Sequence, residues 1–135
     1  MNFPYLKLPG ISRRPLVPVL IKHGKEFLPQ PILCLVDSGA DVSYFDISLA
    51  HELKINFKGL KPVPSWGING EKFEGYQEKI IVTIGGWEFP VVAIFSENVT
   101  RAFCVLGQEG LFAQSRVIFE RYKWNLEIKP RVDIN

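Results

Sequence analysis

The sequence predicts a mostly β domain, on three observations. Short runs rich in Val, Ile and Leu, such as "PLVPVLIK", "ILCLV" and "KIIVTI", have the length and composition of strands. Turn signals at Gly24, Asn69-Gly70 and Gly85-Gly86 separate these runs. Only two stretches allow a helix, and both are short. At 135 residues the chain suffices for one domain with a real core but not for two comfortable lobes.

Taken in order, residues 15–22 and 27–36 read as an antiparallel pair joined by "HGKE", leading directly into Asp37. Asp46 is placed to cap a short helix from Ile47 to about Leu53, with Leu49 and Leu53 four apart on one face. Residues 61–95 read as successive hairpins. Asn69-Gly70 tolerates the positive φ of a type I′ turn, which puts one tip at Ile68–Glu71 with Trp66 and Phe73 near its base. Gly85-Gly86 marks the second tip. "RAFCVLG" is a further strand ending at Gly107, and "QEGLFAQSR" allows at most two helical turns, interrupted by Gly110. "RVIFE" and "NLEIK" close the chain as a hairpin across "RYKW". There is also a weak internal echo: "CLVDSG" and "CVLGQEG" each run from a cysteine through aliphatics into a glycine-containing turn.

Composition narrows the function classes. The net charge of +2 is small and the basic residues are interspersed with acids, which argues against nucleic acid as a partner. No apolar run approaches the roughly 20 residues of a membrane helix, and "MNFPYLKLPG" lacks the apolar core of a signal peptide, so a cytoplasmic protein without a membrane partner is expected. Cys34 and Cys104 then read as reduced core thiols. His23 and His51 share no ligand spacing with them, so neither a metal nor another cofactor is expected.

The chemistry concentrates in "ILCLVDSGADVSYFD" (32–46). Asp-Ser-Gly at a strand end is often only a turn, since Asp accepts hydrogen bonds from amides two residues on. Here, however, the acid follows an unbroken apolar run, where a carboxylate costs free energy unless something uses it. Gly39-Ala40 beside it allow close approach of another chain.

"LVDSGAD", then "WGINGEKF", then "FCVLGQEGLF" resemble, in that order, the retropepsin type of aspartic peptidase, over roughly residues 15–128. The resemblance implies a closed, mainly antiparallel retropepsin-like β barrel with one or two short helices. It leaves 1–14 as an N-terminal extension and 129–135 as a tail. It also implies an aspartic endopeptidase that acts on a peptide or protein substrate as a homodimer, because each chain carries a single Asp-Ser-Gly. By the resemblance Asp37 is the catalytic acid, and Ser38, Gly39, Leu106 and Gly107 support the active turn. Ala40 and Asp41 line the substrate, together with the flap residues Trp66, Gly67, Ile68, Asn69 and Gly70. Two carboxylates about 3 Å apart hold one proton between them, so one acts as base on a water while the other donates to the scissile carbonyl. Acidic to near-neutral activity follows.

The departures from the family's pattern are specific. The viral enzymes place an arginine after the last glycine, where it pairs with the acid matching Asp41; here that position is Gln108. Gln cannot make a bidentate ion pair, which leaves Asp41 to bond the Gln108 amide, to recruit Arg101 or Arg116, or to point into the site. Trp66 is either core packing or a lid over substrate side chains. The terminal segments do not resemble the strands that knit the viral dimer. The competing reading is a catalytically silent module of the same fold that binds peptides or partner proteins.

Overall fold

The structure, a computed structural model, describes residues 1–66, 70, 72–99 and 104–132. Its strands are β1 Asn2–Pro4, β2 Leu16–His23, β3 Glu26–Phe27, β4 Ile32–Val36, β5 Ser43–Asp46, β6 Val63–Trp66, β7 Lys72–Ile84, β8 Trp87–Ser96, β9 Cys104–Leu106, β10 Ser115–Glu120 and β11 Asn125–Pro130, with one α-helix, α1, at Ile47–Glu52. Strands β2, β4, β9, β5, β8 and β7 are neighbours in that order. Strand β7 then pairs back onto β2 through Leu20↔Thr83, Ile21↔Val82 and Lys22↔Ile81, closing a six-stranded barrel. Closure gives each of these six strands a neighbour on both sides.

Period-two alternation fills the barrel. Val17, Val19 and Ile21 point inward from β2, Ile80, Val82 and Ile84 from β7, and Phe89, Val91, Ala93 and Phe95 from β8. Helix α1 plugs one end with Leu49, Ala50 and Leu53, and begins where expected because Asp46 Oδ1 accepts from the Ser48 amide at 3.0 Å. The second hairpin turn also matches its expectation, with φ of 53° at Gly85 and 87° at Gly86.

Other details differ from the sequence reading. The expected strand 27–36 is two strands, because Pro29 and Pro31 have no amide proton to give to a ladder. The expected helix after Gly107 shrinks to a single 3-10 turn at Phe112–Gln114. Gly110, at φ 118°, sits against Val91 and the Ser43 hydroxyl in a conformation outside the helical region. The barrel is mainly antiparallel, but β4–β9 and β5–β8 are parallel pairs. The two echoing segments are the β4–β9 pair: Cys34 lies opposite Cys104 and Val36 opposite Leu106.

A second sheet, ordered β1-β11-β10, packs on the barrel through the buried Leu126 and Ile128. Residues 2–4 of the expected extension supply its first strand, with Phe3 opposite Leu126. The Met1 ammonium donates to the Ile128 carbonyl at 2.8 Å, and the Ile128 amide returns to Met1 O at 2.8 Å.

Both cysteines are fully buried and reduced. Burial pushes the Cys34 thiol well above its ordinary value of 9.0, and the neighbouring Cys104 thiol adds to the shift. The folded chain therefore keeps a proton that the unfolded chain releases near pH 9, so this stability is present below that pH and lost above it. Urea midpoints should fall between pH 8 and 10.5, and a Cys34→Ala/Cys104→Ala variant should fall less steeply; equal slopes would remove the thiols from the account.

Candidate active site

The apolar residues of β4 carry the chain through the barrel wall and release it at Asp37. The Asp37 amide donates to Leu106 O at 3.0 Å, tying the turn to the end of β9. The turn closes on itself: the Ala40 amide reaches Asp37 O at 3.2 Å, and the Gly39 amide reaches Asp37 Oδ1 at 2.9 Å. One carboxylate oxygen is thus held by a backbone donor. Asp37 is half-buried, while Ser38 and Gly39 are exposed.

Gly107 lies directly beneath this turn. A Cβ there would sit 2.3 Å from Val42 O and 2.5 Å from Ala40 O, so the turn rests on a bare Cα. The Gln108 amide donates to Ala40 O at 2.8 Å and the Glu109 amide to Asp41 O at 3.0 Å. Residues 37–43 and 106–110 therefore form one hydrogen-bonded unit at the ends of two parallel strands.

The solved structure "EIAV protease complexed with the inhibitor HBY-793" matches this chain with a TM-score of 0.54. The match covers 76% of this chain and 88% of that one, at 20% sequence identity. The fold is retropepsin-like. No protein-family model matches the sequence, and no curated protein matches it.

Within this retropepsin-like barrel, Asp37, Ser38, Gly39 and Ala40 come together with Leu106 and Gly107, as expected from the sequence. Gln108 takes a part the sequence reading did not give it. Its side-chain amide donates to Ser38 O at 2.7 Å, so it braces the turn from outside instead of serving Asp41. Asp41 is exposed, and Arg101 lies outside the described residues.

Ser43 is the residue that sequence reasoning missed. It is fully buried on β5, where its hydroxyl donates to Glu109 O at 2.8 Å and accepts from the Gly107 amide at 3.1 Å. The available signal was its place in "SYFD", a polar residue on the inward face it shares with Phe45. Ser43→Ala leaves the buried Gly107 amide unpaired, and we expect a loss of about 1–3 kcal/mol in urea unfolding. A change under about 0.5 kcal/mol would mean that water or a backbone shift replaces the bond.

The hairpin base pairs Ser65 with Phe73 and Trp66 with Lys72, which places the β6–β7 arm at the rim of the retropepsin-like barrel. Trp66 is 67% exposed, so it is not core packing within the chain, and the Lys72 ammonium lies 5.9 Å from its ring centroid. Gly70 has φ 76°, as a turn glycine would, while Gly67, Ile68 and Asn69 lie outside the described residues. A cavity of about 430 Å³ opens beneath the arm, lined by Ile47, Pro62, Glu74, Tyr76, Phe95 and Ser96 among others; Asp37 does not line it. Among the described residues no cluster of three or more His, Cys, Asp or Glu could hold a metal ion, and no helix is long and apolar enough to cross a membrane.

Proposed function

We propose that the chain is an aspartic endopeptidase that acts as a homodimer, with Asp37 of each copy forming the catalytic pair. The observation that carries this reading is the Asp37 carboxylate at the mouth of a core strand, one oxygen fixed by the Gly39 amide, on a turn seated against Gly107. A residue meant only to close the turn has no need of this bracing from Gln108, Ser43 and β9. One Asp-Ser-Gly per chain provides half of a two-acid site, and the exposure of Ser38 and Gly39 leaves that half open to a second copy.

In the proposed reaction the two carboxylates share one proton. The ionised one takes a proton from a water held between them, and the water oxygen attacks the scissile carbonyl carbon. The protonated one donates to the carbonyl oxygen, which gives a tetrahedral diol. On collapse of the diol the carboxyl group that took the water proton gives it to the amine nitrogen as the C–N bond breaks, and the other carboxylate takes a proton from a diol hydroxyl, so the products are an acid and an amine and the pair again holds one proton. The β6–β7 arm, with Trp66 near its end, closes over the substrate and excludes water. The test is digestion of a mixture of unrelated peptides between pH 3 and 9, with products identified by mass. Cleavage at internal bonds, strongest at acidic to near-neutral pH, is expected. A dimer that cleaves nothing under these conditions would point to the silent peptide-binding module.

A further inference from the structure

Among the described residues, the second sheet ends in a strand whose outer edge is open: in the order β1-β11-β10, β10 pairs only with β11. Open edges are ordinarily blunted by proline, charged side chains or a bulge. Strand β10, "SRVIFE", has no proline, runs six residues in unbroken register with β11, and carries two charges of opposite sign, Arg116 and Glu120, which repel an unrelated strand less than a single-sign edge would.

Its inner face is also incompletely covered. Directly opposed residues share a face, so Val117 and Phe119 lie on the core side with their partners Ile128 and Leu126. Leu126 and Ile128 are fully buried, yet Phe119 remains 39% exposed, stacked on Phe112 with ring centroids 6.4 Å apart. Val117 packs against the core, but the chain leaves Phe119, at the far end of the strand, partly uncovered.

We infer that β10 pairs antiparallel with β10 of a second copy, centred on Ile118, and that this contact holds the dimer. A two-fold axis beside a free edge produces antiparallel pairing, and inner residues must face inner residues, so the paired numbers must sum to an even value. Centred on Ile118, Val117 meets Phe119 on the inner face. On the outer face Ile118 meets Ile118, and Arg116 meets Glu120. Each copy thus supplies both signs of charge and both halves of an apolar pair, which selects a second copy over any unrelated strand. Glu120 already has Tyr122 Oη at 3.0 Å and Lys123 Nζ at 3.4 Å, both exposed, and a carboxylate can accept further donors. The edge starts one turn beyond the active-turn brace, since the Ala113 amide donates to Gln108 O and Gln108 holds Ser38. This inference rests on the proposal that Asp37 works as a pair, and it adds how the pair is held. Strand β1 pairs with β11 of its own chain, so no exchange of terminal strands is needed.

Charge reversal tests it by sedimentation equilibrium at low salt. Arg116→Glu and Glu120→Arg should each raise the dimer Kd about 30-fold, because two attractive pairs become two repulsive ones. Combining them should restore Kd to within about threefold of the original. In parallel, Ile118→Cys should cross-link between copies with a bismaleimide of short span. Arg116→Cys should not, because its mate lies four residues along, about 14 Å away. A dimer whose Kd ignores both single reversals, or that cross-links at 116 and not at 118, overturns the β10 contact and leaves the Asp37 pair standing. A chain that is monomeric at every concentration and cleaves no peptide overturns the pair, and the β10 contact with it.

Discussion

Under the proposed function, Asp37→Asn is expected to abolish peptide hydrolysis, by at least ~10³-fold, while the protein stays folded with unchanged mass in solution. Asn keeps the shape of the side chain and an oxygen able to accept from the Gly39 amide, so the turn at 2.9 Å survives. What disappears is the exchangeable proton and the negative charge. An Asn–Asn pair can neither take a proton from water nor donate one to a carbonyl oxygen. The measurement is kcat/KM on any peptide the wild type cleaves, with thermal unfolding and sedimentation on the same samples. Equal cleavage by both proteins would show a contaminating peptidase, and an unfolded variant would make Asp37 a structural residue.

Gly107→Ala is expected to cost about 3 kcal/mol or more and to lower the unfolding temperature by about 10 °C. The added methyl would lie 2.3 Å from Val42 O and 2.5 Å from Ala40 O, and both obstacles are backbone. A flexible side chain could swing away; these carbonyls cannot, because the Gln108 amide holds Ala40 O and Val42 is anchored beside the buried Ser43. Relief requires the whole turn to lift off β9, which moves Asp37. Activity should therefore fall further than stability alone explains, even at a temperature where the variant is fully folded. A folded variant with wild-type kcat/KM would show that the turn tolerates this shift.

The readable parts of the molecule were those set by local chemistry. Strand runs, the Asp46 cap and the Gly85-Gly86 turn follow from side-chain period, a capping oxygen and two residues that accept positive φ. The order of "LVDSGAD", "WGINGEKF" and "FCVLGQEGLF" identified which turn to watch. It did not specify the partners of that turn. Gln108 could be seen to replace an arginine, but whether its amide met Asp41 or Ser38 depends on where β9 ends relative to β4. Ser43 looked like any polar strand residue until β5 was placed against Gly107.

By itself, then, the sequence determined a β-rich fold, one Asp-Ser-Gly after a core strand, and the need for a second copy if that acid is to work in a pair. Only the tertiary structure decided that the two cysteine-bearing strands lie parallel and in register, that Gln108 and Ser43 hold the acid-bearing turn, and that β1 folds onto β11 and leaves β10 as the open edge. The physical reason is range. Period, caps and turns act within a few residues, whereas these contacts join positions 60 or more apart, whose proximity exists only once the barrel closes.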